Sequence, residues 1–153
     1  MVGVLFHIGN IEWPRDYFNK IRIESVALDA TDIIFVDQSQ YYISRYFSSE
    51  ELNVHRFTDI EQAETQFVDY NFVYLESPGN VPEENSASLH VFTHPKDPIY
   101  VAGPNTGTLV YAGREDQHWV HIPIKDGGIL YAETAIAMAL YDRKLKLNGG
   151  IGN

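Results

Sequence analysis

Two glycine-bearing stretches hold most of what could do chemistry in this chain. Ile99-Tyr100-Val101-Ala102 reads as a buried strand and runs directly into Gly103-Pro104-Asn105-Thr106-Gly107. Glycines at the carboxyl end of a parallel strand let backbone N–H and C=O groups approach a small molecule, and open α/β sheets bind their ligands at such strand ends. A tight turn with no ligand has the same appearance. The stretch is neither a dinucleotide fingerprint nor a phosphate loop, because GxGxxG and GKS/GKT are both absent. The second stretch, His121-Ile122-Pro123-Ile124-Lys125-Asp126-Gly127-Gly128-Ile129-Leu130, again leaves a strand and enters a helix. The two loops could wall one pocket from two adjacent strand ends.

Other chemistry is less well supported. His90 and His94 have the spacing of a helical metal pair, and His118 and His121 are three apart. Neither pair belongs to an HExxH motif, and His94 precedes proline in a region that reads as extended, so no metal site is expected. No G-x-S-x-G elbow is present for a hydrolase. Ten tyrosines and eight phenylalanines could stack bases, with Tyr41, Tyr42, Tyr46 and Phe47 the densest group, but core packing explains such content as well. Glu83-Glu84 reads as a solvated loop pair.

These residues must be positioned by an α/β framework. Val2–Ile8 is a β-rich apolar run closed by Gly9-Asn10. From Pro14 to about Leu28, Tyr17, Phe18, Ile21, Ser25 and Leu28 recur at helical spacing, with Pro14 suited to a first turn. Asp32–Asp37, DIIFVD, is a second nearly continuous apolar run. Strand, helix and strand in that span have the dimensions of a βαβ unit with a parallel sheet. A short helix over 41–47, a strand over 54–57, a helix over 59–67 with Asp59 as N-cap and a strand over 71–75 follow. SPGNVPEENSAS at 77–88 has the composition of an exposed loop, possible as a lid. Strands at 99–102 and 120–124 and a helix over 130–147, capped near Asn148-Gly149-Gly150, complete an α/β layer fold with helices on both faces of the sheet.

With 153 residues and 44% hydrophobic content, the chain reads as one domain, residues 1–153, with a real core. No apolar run is long enough to cross a bilayer, and MVGVLFHIGN lacks the features of a secretion signal. Without cysteine there is no disulfide framework and no thiolate zinc site, and a cytoplasmic setting is the default expectation. The 21 acidic and 11 basic residues give a net charge of −10, the wrong sign for gripping phosphates. A nucleic-acid role therefore needs a local patch. Arg15, Lys20 and Arg22, and Arg143, Lys144 and Lys146, are the two small basic groups, each equally readable as a solvated helix face.

Taken in order, His94-Pro95, Gly103, Gly107, Leu109, His121-Ile122-Pro123, Leu130, Ala135 and Leu140-Tyr141-Asp142-Arg143 resemble the motifs of the knotted SPOUT-class RNA methyltransferases. The resemblance is strongest to the TrmH-like branch that methylates ribose 2′-hydroxyls, and covers residues 94–143, about a third of the chain. Arg22 followed by IESVALDATDIIFVD fits the family's first helix and second strand more weakly. Ile129-Leu130 with Glu133-Thr134-Ala135 is also similar to the LRTETA of a branch that methylates a ribosomal uridine base, so ribose and base both stay open as targets.

The resemblance implies a parallel α/β sheet with a C-terminal trefoil knot, an exception to the unknotted-chain rule. It implies S-adenosylmethionine held by Ala102, Gly103, Asn105, Gly107, Ile122, Ile124, Leu130 and Ala135. It also implies a homodimer whose first and last helices meet across a two-fold axis, and tRNA or rRNA, not DNA or a membrane, as partner. Arg22 would be the catalytic or substrate-orienting residue, with Tyr131 and Glu133 lining the site. Three polar family positions differ: the second motif's glutamate is Asn105, the third motif's asparagine is Tyr131, and Ile129 stands where serine is common. The asparagine six positions before the arginine is Asp16. Such losses suit a rival reading, a catalytically inactive dimer that binds cofactor or another protein. An open pocket between the two loops favours the enzyme; Tyr131 or Tyr111 filling it favours the rival.

Overall fold

The computed structural model describes residues 1–9, 13–39, 47–77, 79–104, 109, 111 and 113–148. The first apolar run forms β1 (Gly3–Gly9), which continues through α1 (Arg15–Ala27) into β2 (Asp32–Asp37). Then come β3 (Asn53–Phe57), α2 (Ile60–Gln66), β4 (Asn71–Leu75), β5 (Ser86–Ser88), β6 (Pro98–Ala102), β7 (His118–His121) and α3 (Ala132–Leu147). Single 3₁₀ turns occupy Glu83–Asn85 and Leu89–Val91.

The seven strands pair in the order β3-β2-β1-β6-β4-β7-β5, and every pairing is parallel. Register brings Leu5 opposite Ile34 on one side and Val101 on the other, and Val73 opposite Tyr100 and His118. Because both faces are covered, the central strands are apolar at successive positions, and β2 and β6 are buried along their whole length. On one face, Phe18 and Ile21 of α1 and Ile136, Ala139 and Leu140 of α3 pack on Val4, Phe6, Ile33, Phe35 and Tyr100. On the other, Ile60 and Ala63 of α2, with Phe67, pack on Leu5, Ile34, Val36, Tyr74 and Trp119.

The expected helices and strands are present, with informative differences. Asp59 caps α2 as expected, its carboxylate accepting the Gln62 N–H at 2.9 Å. Pro14 sits at the cap of α1 rather than in its first turn. The last helix starts at Ala132, not Leu130, because Ile129 and Leu130 are still in the loop. Within the segment 77–88, read as loop throughout, Ser86–Ser88 forms the edge strand β5 against β7. Three small residues, Ser-Ala-Ser, are too short a run for alternation to mark a strand. The short helix expected over 41–47 falls almost wholly outside the described residues. Among the described residues no helix is long and apolar enough to cross a membrane.

Candidate functional site

Strand order places the site. β6 and β7 are not neighbours, since β4 lies between them, so the two loops are not on adjacent strand ends. The cleft is instead built from three strand ends: Leu75, Glu76 and Ser77 after β4, Ala102, Gly103 and Pro104 at β6, and Ile122 and Ile124 after β7. Ile129, Leu130, Ala132 and Ala135, from the approach to α3 and its first turn, close the fourth side. Together these residues line a cleft that is open to solvent on one side. Its position at the carboxyl edge of a parallel sheet is where such folds bind ligands.

Six of the eight expected cofactor residues therefore converge: Ala102, Gly103, Ile122, Ile124, Leu130 and Ala135 all line the cleft. Asn105 and Gly107 lie outside the described residues. Gly103 has φ +97°, and a Cβ there would stand 2.4 Å from the carbonyl oxygen of His7 on β1. The turn and the first strand are pressed together, and glycine is the residue that permits it.

The expected catalytic residues are elsewhere. Ala132 and Ala135 face the cleft, so Glu133, a third of a helical turn away, faces α1. It is buried beside Phe6, Ile21, Glu24 and Ser25, and its Oε2 has no hydrogen-bond partner among the described residues. Burial first, then repulsion from Glu24, raises its pKa above the ordinary glutamate value. The folded state thus favours the protonated acid, and stability from this group declines as pH rises through that raised value. Glu133→Gln should accordingly stabilise the protein by roughly 1 kcal/mol at pH 8, read by thermal unfolding, with the gain shrinking as pH is lowered and the native acid takes its proton.

Tyr131 caps α3 but does not line the cleft; it is 54% exposed and meets Tyr17 edge to face at 6.2 Å. Tyr111 packs on Trp119, on the α2 side of the sheet. Neither tyrosine fills the cleft. Arg22 lies mid-way along α1, bonding the Asn19 side chain and donating to the Ser48 carbonyl at 3.4 Å, and it is not among the lining residues. Within one chain the structure does not bring Arg22, Tyr131 and Glu133 into the cleft.

The motif residues that do meet are His94 and Asp142. The Asp142 carboxylate can only accept, so His94 Nε2–H donates to its Oδ2 at 2.6 Å, and Nδ1 accepts from the Tyr100 hydroxyl at 2.6 Å. Lys146 pairs with the same carboxylate oxygen at 2.7 Å and donates to the carbonyls of Leu89 and Phe92, both at 2.9 Å. This clasp ties α3 to β6 and the preceding 3₁₀ turn. The histidine pairs have similar structural explanations. His90 bonds Ser88, His121 bonds Ser86, and His118 and His121 point to opposite faces of β7. Among the described residues no group of three or more His, Asp or Glu is placed to hold a metal.

Glu76 escaped the reading of the sequence because nothing in NFVYLES marks β4 as a wall of the cleft. Its Oε1 accepts from the Ser77 N–H at 2.8 Å and the Asn80 Nδ2 at 3.1 Å, and its Oε2 accepts from the Leu109 N–H at 2.9 Å. The carboxylate thus fastens Leu109, which lies between β6 and β7 in the chain.

No protein-family model matches the chain, and no curated protein does. Solved structures do match. A structure concerned with 2-OH methylation of C/U34 on tRNA superposes with a TM-score of 0.72 at 15% identity, covering 97% of each chain. The A. aeolicus TrmH/SpoU tRNA modifying enzyme gives 0.69 at 13% identity over 97% of this chain and 77% of that one. The SpoU methyltransferase AviRb from Streptomyces viridochromogenes, in complex with AdoMet, gives 0.66 at 18% identity, over 96% of this chain and 61% of that one. The class defined here is the SPOUT fold. More particularly, the chain has the fold of the SpoU/TrmH-type RNA methyltransferases.

Proposed function

We propose that the protein is an S-adenosylmethionine-dependent RNA methyltransferase acting as a homodimer on tRNA or rRNA, with a ribose 2′-hydroxyl as its target. The observation that carries this reading is the open cleft between the β4, β6 and β7 ends and α3, in a fold whose neighbours include an AdoMet complex. The residues suit an adenosyl compound. Ile122, Ile124 and Leu130 offer apolar walls for the adenine, and Ala102, Gly103, Ala132 and Ala135 are small enough to leave backbone groups within its reach. When bound, the cofactor supplies a methyl group on a positively charged sulfur, a good leaving group. The chain's part is then to exclude water and fix the methyl donor against the hydroxyl, which is where positioning supplies much of the rate.

Arg22 belongs to this reading as the substrate-orienting residue of the partner subunit. The dimer is supported by Ile23 on α1 and Met138 and Tyr141 on α3, large apolar side chains left 58%, 40% and 54% exposed. Trefoil threading of the chain belongs to the same proposal. A cleft filled by neither Tyr131 nor Tyr111 favours the enzyme over a scaffold that has lost its pocket, although Tyr131 and Ile129 still replace the polar side chains the resemblance expects.

Calorimetric titration with S-adenosylmethionine and S-adenosylhomocysteine, beside a sizing column, tests the site and the dimer. Transfer of a labelled methyl group to tRNA or rRNA, mapped by resistance to alkaline hydrolysis, tests the target. Micromolar binding to a dimer is expected, and Ala135→Trp, which fills the cleft from α3, should weaken it at least a hundredfold, about 3 kcal/mol, with the melting temperature little changed. Silence with both ligands sinks the methyltransferase reading, and binding without transfer to any RNA leaves the scaffold.

A further inference from the structure

Of the described residues lining the cleft, Glu76 alone carries a charge. Lys125 and Asp126 lie on the exposed turn beyond it and are of opposite sign. Among the described residues three N–H donors reach the Glu76 carboxylate and hold it in a fixed orientation. Glu76 is half-buried beside Leu75, Ala102, Ile122, Ile124 and Leu130, where a positive group entering the cleft is attracted somewhat more than in open water. We propose that Glu76 is a specificity-determining residue of the cleft: it makes the site prefer a ligand with a net positive charge over its neutral counterpart. This rests on the reading that the cleft takes S-adenosylmethionine, and it carries a consequence for turnover. S-adenosylmethionine bears one net positive charge, whereas S-adenosylhomocysteine, after the methyl group and the sulfonium charge are gone, bears none. The attraction that holds the reactant is removed by the reaction itself, which favours exchange of product for fresh cofactor.

The same side chain also fastens Leu109, so charge and clasp must be separated. Titrations of wild type, Glu76→Gln and Glu76→Asp with both ligands do this. Gln removes the charge, and the affinity ratio of S-adenosylmethionine to S-adenosylhomocysteine should fall by about fivefold, the upper end for a solvent-exposed ion pair. Asp keeps the charge on a shorter stem that cannot reach all three donors. Both ligands should weaken together there, with the wild-type ratio kept. A ratio unchanged in Glu76→Gln, whether both affinities fall equally or neither falls, overturns the proposal and leaves Glu76 a clasp. Absence of binding by wild type itself is a different result: it removes the cofactor reading first, and the preference with it.

Discussion

Gly103→Ala should lower the stability of the protein by about 2–5 kcal/mol, and Gly103→Val by more, in urea or thermal unfolding. Two costs combine. A residue with a side chain at φ +97° gives up about 1–2 kcal/mol for its backbone conformation, and the new Cβ, 2.4 Å from the His7 carbonyl oxygen, forces apart two backbones that lie in the middle of the sheet. Gly79 supplies the control. Its φ is +96°, but nothing lies within 4 Å of the position a Cβ would take, so Gly79→Ala should cost only about 1 kcal/mol. The difference between the two variants reads the contact with β1 alone. The glycine thus serves the packing of β6 against β1 as much as the cleft. Equal losses in the two alanine variants would remove the contact from the account.

The second large effect is expected at the clasp behind α3. Asp142→Ala leaves the Nε2–H of His94, whose side chain is 2% exposed, without its acceptor, and deprives Lys146 of its carboxylate partner. Stranding a buried donor of this kind costs about 2–3 kcal/mol, roughly 5–10 °C in melting temperature for a chain of this size. Cofactor affinity should hardly change, since none of these groups lines the cleft. The histidine also sets a pH dependence. Burial, opposed by the bond to Asp142, holds His94 below the ordinary histidine value of 6.5. The unfolded chain therefore takes up a proton before the native protein does, and stability is full above pH 6.5 and falls as pH drops below it. His7, lowered mainly by burial, acts in the same direction. His94→Gln, which cannot titrate, should flatten part of that slope. A wild-type stability indifferent to pH between 7 and 5 would contradict this assignment.

Most of the framework was legible because buried parallel strands and amphipathic helices leave strong local signatures: DIIFVD, NFVYL and IYVA are nearly continuous apolar runs, and Phe18, Ile21 and Ser25 mark the buried side of α1. The cleft was half legible. Gly103, Ile122, Ile124 and Leu130 announce themselves as loops leaving strands, and they converge as expected. What local pattern cannot contain is strand order. Without knowing that β4 enters between β6 and β7, there is no reason to select Glu76 from LES, or to see that Glu133 turns toward α1. His94 and Asp142 were found through resemblance, yet their task is to hold α3 in place, a reminder that a recurring motif can report packing as readily as chemistry.

The first strand of this sheet in chain order lies near its centre. β1 gains β2 quickly, but its other neighbour is β6, with Gly3 opposite Ile99. A ribosome adding about 5–20 residues per second needs roughly 5–20 s to travel between them. During that interval one long edge of β1, with the apolar side chains Val4, Leu5 and Phe6, has no permanent cover. Until β6 arrives that edge is open to pairing with other strands, so the protein's yield on expression should respond to translation speed more sharply than its final stability would suggest.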